Sequence, residues 1–151
     1  GITLDRFLKS LKEFARNDVK IVVVPSERDR KSVVETVEKI LRTDRNVTAL
    51  YFLHAPTALA AVTYLSYTGR RIPGDISVIC AQHSDPLEHI YPSVACYYLN
   101  FRAYEKRVLH VAEQYLSGSV APSAKPVLIT PEYCPGQSLG QVSGGISAKT
   151  V

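Results

Sequence analysis

Between Thr57 and Ile79 the chain reads TALAAVTYLSYTGRRIPGDISVI, which places a helix, a glycine stop and a buried strand in one short order. Ala58, Leu59, Val62 and Leu65 recur at helical spacing and predict an apolar helix face. Gly69 stands where helices end in a left-handed residue, and Ile72, Pro73, Gly74 and Asp75 predict a turn into a strand over Ile76 to Ile79. A helix delivered so quickly to a buried strand is the unit from which parallel α/β sheets are built.

The rest of the chain repeats that alternation. Leu4, Phe7, Leu8, Leu11 and Phe14 predict a helix from about Leu4 to Arg16, followed by a short β-branched strand over Val19 to Val24, buried on both faces. Val33, Val34, Val37, Ile40 and Leu41 predict a helix from about Arg30 to Arg42. Strands are expected over Thr48 to Leu53, Ile76 to Ala81 and Val94 to Leu99, with a polar loop from Gln82 to Ser93. A long helix over Phe101 to Leu116 should turn Tyr104, Val108, Val111, Ala112 and Tyr115 inward, and Val127 to Thr130 makes a last strand. Right-handed crossovers make the alternating strands parallel. The expected class is α/β, a three-layer α/β/α arrangement around a mostly parallel sheet of flavodoxin-like build.

A chain of 151 residues with 46% hydrophobic content suffices for one packed domain. The net charge of +4 is mild and its basic residues are spread out, which is weak evidence for nucleic-acid contact. No apolar run reaches the roughly 18 residues of a membrane span, and no secretory signal opens the sequence. Cys80, Cys96 and Cys134 show no Cys-x-x-Cys spacing, so reduced, buried thiols and a cytoplasmic setting are expected. The absence of methionine suggests a fragment or processed piece. Residues 141–151, small and polar, read as a disordered tail behind a domain over 1–140.

Motifs for common chemistries are missing. Neither G-x-G-x-x-G nor G-x-x-x-x-G-K-S/T occurs, which argues against nucleotide hydrolysis and Rossmann binding, and no serine elbow or H-E-x-x-H is present. No metal site, cofactor or catalytic residue is expected. His110 reads as a surface helix residue. His54, His83 and His89 follow strand ends, where ligands of open parallel sheets bind. For His54, ligand contact and a structural loop role both remain open. Asp85 and Glu88 beside His83 leave an alternative, a small-molecule-processing enzyme built on the His83–Glu88 loop.

The order of landmarks resembles the sensor domain of the lactose-repressor and galactose-repressor family of bacterial transcription regulators, over roughly residues 4 to 139. R-F-L-K-S-L-K-E-F at Arg6 to Phe14 is similar to the family's R-x-x-G-F-x-x-A-L, and L-H-A-P-T-A-L-A-A at Leu53 to Ala61 to its A-N-D-x-x-A-L-G-A. I-P-G-D-I-S-V-I-C-A-Q-H at Ile72 to His83 resembles V-P-x-D-I-S-V-I-G-F-D-D. P-S-V-A-C-Y at Pro92 to Tyr97 resembles P-x-L-T-T-V, and P-E-Y-C-P-G-Q-S-L at Pro131 to Leu139 resembles P-x-x-L-V-x-R-x-S more loosely.

The resemblance implies the C-terminal lobe of a periplasmic-binding-protein-like sensor with a small effector, a sugar or related metabolite, held between two lobes. It places the ligand-binding positions at Arg6, His54 with Ala55, and Gln82, with His83 beside them. Two acidic positions of the family motif are Ala55 and Gln82 here, and its late arginine is Gln137, so a site with fewer acceptors is expected and an anionic ligand comes into range. The resemblance further implies a homodimer, with Tyr64, Tyr97 and Tyr98 as interface residues, and DNA contact only through a domain absent from this chain. A ligand-free interaction module is the remaining alternative.

Overall fold

The computed structural model describes Lys9, Glu13, Lys20, residues 22–24, residues 27–118 and residues 129–141. Lys9 and Glu13 are helical, in keeping with the helix expected over Leu4 to Arg16. The described elements run α1 (Arg30–Thr43), β1 (Ala49–Phe52), α2 (Ala55–Tyr67), β2 (Ser77–Cys80), α3 (Asp85–His89), β3 (Ala95–Tyr98), α4 (Phe101–Leu116) and β4 (Glu132–Cys134). The sheet order is β1-β2-β3-β4. β1, β2 and β3 pair in parallel, and β4 returns antiparallel beside β3. This is the expected mostly parallel α/β sheet, closed at one side by a reversed strand.

Local chemistry sets the helix ends. Asp29 caps α1 by accepting from the Ser32 N–H at 3.0 Å. At the far end of α2 the Gly69 N–H donates to the Ser66 carbonyl at 3.1 Å and the Arg70 N–H to the Leu65 carbonyl at 2.9 Å. These two bonds form a Schellman motif, and Gly69 takes the φ of 77° it requires. Beyond it, Arg71 and Asp75 close the turn into β2, with Arg71 Nη2 at 2.6 Å from Asp75 Oδ1 and the Arg71 backbone N–H donating to Asp75 Oδ2 at 2.8 Å.

The Arg71 hydrogen bonds hold Asp75 below its ordinary value of 3.8, at about 2. A depressed carboxyl pKa means that the contribution to stability is complete above the unfolded value and is lost as pH falls from 3.8 towards 2. Asp75→Asn should therefore lower the thermal midpoint at neutral pH, with the gap from wild type closing through that acid window. Midpoints recorded from about pH 6 to about pH 2 test this; a gap that persists unchanged at the acid end would contradict it.

The core lies on one face of the sheet. Val78, Cys80 and Cys96 project to that face and are fully buried, joined by Val33 and Val37 of α1, Ala58, Ala61, Val62 and Leu65 of α2, and Leu87 of α3. The opposite face carries Tyr51, Ile79, Tyr97 and Tyr133 at alternating positions, each at least partly exposed.

Several expectations need correction. Val22, Val23 and Val24 form no strand and are 65%, 49% and 41% exposed; no described strand pairs with them, and Val19 and Ile21 of the expected run lie outside the described residues. The loop from Gln82 to Ser93 contains α3, in which Leu87 is buried. Ile129 and Thr130 are not in a strand, and Val127 and Leu128 of that expected strand lie outside the described residues; the last described strand is Glu132–Cys134, pinned by its register against Cys96, Tyr97 and Tyr98. The helix over Phe101 to Leu116 forms as expected, its Asn100 cap accepting from the Ala103 N–H at 3.1 Å. Its apolar side does not turn inward: Tyr104, Val108 and Tyr115 are exposed, and α4 has no buried residue. The periodicity is real, but no described element covers it. Residues 142–151 and the expected tail lie outside the described residues, apart from Gln141.

Candidate functional site

The carboxyl ends of β1 and β2 lie side by side, with Phe52 paired to Cys80, so the residues that follow each strand emerge together. His54 is the N-cap residue of α2, in extended backbone, and its side chain makes no capping bond. Its carbonyl instead accepts from the Thr57 hydroxyl at 2.6 Å and the Ala58 N–H at 3.1 Å. The cap comes from across the strands: Gln82 Oε1 accepts from the Ala55 N–H at 3.3 Å. A helix N-terminus leaves N–H groups in need of acceptors, and Gln82 supplies one of them. His54 and Gln82 therefore meet at one helix N-terminus, where the side-chain amide of Gln82 keeps its nitrogen as a donor and the imidazole of His54 is half-buried.

His83 follows directly. Its Nε2 lies 2.7 Å from Glu88 Oε1, its ring stands edge-on to Tyr98 with centroids 5.4 Å apart, and its backbone N–H donates to the Tyr97 carbonyl at 2.9 Å. One ring nitrogen is thus committed to α3, and the imidazole is oriented by an aromatic wall. Asp85 joins neither partner through its carboxylate; its carbonyl sits 2.7 Å from Nδ1 of His89. His83 and Glu88 meet, but the three-residue convergence needed for acid–base work on that loop does not form. His110 pairs with Gln114 on exposed α4. Arg6 lies outside the described residues. Among the described residues, no group of three His, Cys, Asp or Glu side chains is placed to hold a metal.

An open depression of about 470 Å³ lies elsewhere, lined by residues of α3, Tyr91, Ser93 and the segment Pro135 to Gln137. It sits where the chain enters β3 and touches the site of His54, Gln82 and His83 only through Glu88, the partner of His83. Gln137, the position of the family's late arginine, belongs here; its Oε1 accepts from the Ser93 N–H at 3.4 Å. The expected interface tyrosines also separate. Tyr98 stands by His83, Tyr97 points to the other face and packs against Tyr133 with centroids 5.7 Å apart, and Tyr64 lies half-buried on α2 against the core.

A model of the periplasmic binding protein-like domain matches residues 3–139. The chain belongs to that family. No curated protein matches it by sequence. As a periplasmic binding protein-like domain it is similar in fold to a LacI family transcriptional regulator from Bifidobacterium animalis subsp. lactis DSM 10140, with a TM-score of 0.79 and 17% identity, covering 94% of this chain and 51% of that one. It is also similar to a LacI family regulator from Arthrobacter sp. FB24 in complex with lactose, with a TM-score of 0.74, 19% identity and coverages of 89% and 49%. A third is a sugar-binding LacI family regulator from Escherichia coli complexed with phosphate, with a TM-score of 0.71, 17% identity and coverages of 90% and 48%. The chain spans about half the length of these structures, all of them transcription regulators. No helix among the described residues of this periplasmic binding protein-like domain is long and apolar enough to cross a membrane.

Sequence reasoning missed Ser138. Its hydroxyl donates to the Val78 carbonyl at 2.5 Å and accepts from the Ala95 N–H at 2.9 Å, while its own carbonyl accepts from the Val78 N–H at 2.9 Å. Fully buried between β2 and β3, it stitches the two strands together where the ladder between them has not yet begun. Nothing in the spacing of a serine after Gly136 and Gln137 signals this, since its partners lie 43 and 60 residues away.

Proposed function

We propose that this chain is the C-terminal lobe, over residues 1–140, of the effector-sensing domain of a bacterial transcription regulator. Residues 141–151 would be a tail, and DNA contact would fall to a domain outside this sequence. The observation that carries the reading is that Gln82, after the carboxyl end of β2, caps the Ala55 N–H of the helix that His54, after the carboxyl end of β1, leads into. Ligands of open parallel sheets bind at such strand ends. The similar folds complexed with lactose and with phosphate support a small-molecule effector.

The proposed contact set is Arg6, His54, Gln82 and His83. Donors outnumber acceptors in it: a guanidinium, two imidazoles and an amide, with no carboxylate at positions 55 and 82. Such a set favours a hydroxylated ligand that also carries an anionic group. Signal would pass by differential affinity for two lobe arrangements, since a ligand shifts only an equilibrium whose states it binds unequally. The uncovered apolar side of α4 supplies a surface for homodimer or inter-lobe contact.

Calorimetry on the full-length regulator with a panel of sugars and sugar phosphates tests the reading. His54→Ala and Arg6→Ala should each weaken the binding ligand by roughly 10-fold, the scale of one lost hydrogen bond to a charged or polar group. Binding that survives both substitutions undiminished would move the site elsewhere, and a panel with no binder would favour a module that acts through its protein contacts alone.

A further inference from the structure

The sheet gathers the three cysteines of the chain into one row. Cys80 of β2 is paired with Cys96 of β3, and Cys96 with Cys134 of β4, so the three side chains share one face at the same level. A row on adjacent strands spaces its ends roughly 10 Å apart, too far for one metal ion, whose thiolates must each lie about 2.3 Å from it. What the row permits is pairwise chemistry. Residues directly opposite in an antiparallel ladder have Cα atoms about 4.5 to 5.5 Å apart, within the roughly 4.4 to 6.8 Å that a disulfide spans.

We propose that Cys96 and Cys134 form a reversible disulfide, made by exchange with a small-molecule disulfide, that clamps β4 to β3. Cys96 and Cys80 are fully buried, whereas Cys134 is partly exposed and sits at the sheet edge, so it is the thiol an oxidant reaches. Cys134 attacks one sulfur of the small disulfide, forming a mixed disulfide and releasing one thiol that takes up the Cys134 proton. Cys96 then attacks the Cys134 sulfur and releases the second thiol with the Cys96 proton. Two protein thiols are oxidised and one small disulfide is reduced to two thiols. Burial, then its two cysteine neighbours, push the Cys96 thiol up to about 11, which together with its burial leaves the first attack to the partly exposed Cys134.

The clamp has a mechanical consequence. Between its two ends the chain leaves the sheet, runs through α4, whose apolar side no described element covers, and returns as β4. A bond from Cys96 to Cys134 closes residues 97–133 into a loop at its root and restrains the unfolded chain, which raises stability.

The test uses the full chain, reduced and then incubated with excess oxidised glutathione, quenched with N-ethylmaleimide and mapped by peptide mass spectrometry without reduction. The expected result is a Cys96–Cys134 cross-linked peptide within one chain, alkylation only at Cys80 after unfolding, a rise of several degrees in the thermal midpoint, and full reversal by dithiothreitol. In Cys134→Ser both effects should vanish, and in Cys80→Ala both should persist. Glutathione retained on Cys134, a Cys80–Cys96 cross-link, a disulfide between chains, or three unreacted thiols would each overturn the proposal.

Discussion

Gly136→Ala is expected to lower the stability of this domain by about 3 kcal/mol or more, the upper part of the range for forcing extra atoms into a packed interior. The reason is not backbone torsion but crowding. A Cβ at position 136 would lie 2.3 Å from the Ala95 nitrogen, 2.6 Å from the Val94 carbonyl carbon and 2.7 Å from the Ser93 carbonyl oxygen. All three are backbone atoms at the start of β3, so no side chain can swing aside to make room. The same approach lets the Gln137 N–H and the Ser138 N–H donate to the Ser93 carbonyl at 2.8 and 3.0 Å, and sets Ser138 between β2 and β3. Relieving the clash by moving the 136 segment would break those bonds. At roughly 2–4 °C per kcal/mol for a domain of this size, the thermal midpoint should fall by on the order of 6–12 °C or more. A midpoint within about 2 °C of wild type would show that the segment has room to shift.

Leu65→Ala is the second large effect, at about 2–5 kcal/mol, the cost of the lost transfer energy together with the cavity left behind. Leu65 is fully buried in the core that α2 shares with β2, and its carbonyl anchors the Schellman closure at Arg70. Two residues further along the same helix, Tyr67 is 88% exposed. Tyr67→Ala should change stability by no more than about 0.5 kcal/mol, despite removing a larger side chain. Chemical denaturation of the two variants side by side measures both; similar losses would mean that α2 packs in another rotational setting.

Much of the fold was legible because it is written in short-range patterns. The spacing of Ala58, Val62 and Leu65, the glycine at 69 and the turn into Ile76 to Ile79 each act within a few residues, and α2, its left-handed stop and β2 form where those signals stand. The same holds for α1 and α4, whose caps are Asp29 and Asn100. Burial was less legible. The stripes of Val22 to Val24 and of Tyr104, Val108 and Tyr115 have the periodicity of buried surfaces, yet periodicity states only which side of an element is apolar. Whether a partner covers that side is a property of the rest of the assembly.

The candidate site divides in the same way. That His54, Gln82 and His83 follow strand ends could be read along the chain, and a parallel sheet brings such ends together. That Gln82 caps the helix led by His54, that Glu88 occupies one nitrogen of His83, and that Tyr98 meets His83 while Tyr97 meets Tyr133 could not.

The sequence by itself determined the alternation of helices and parallel strands and the family of the domain, since these rest on local spacing and on the order of motifs. Only the tertiary structure decided the reversed fourth strand, the close crossing at Gly136, the buried hydroxyl of Ser138 and the row of three cysteines. Each of these depends on strand register, which sets residues far apart in the chain against one another through backbone hydrogen bonds that carry no signature in the residues themselves.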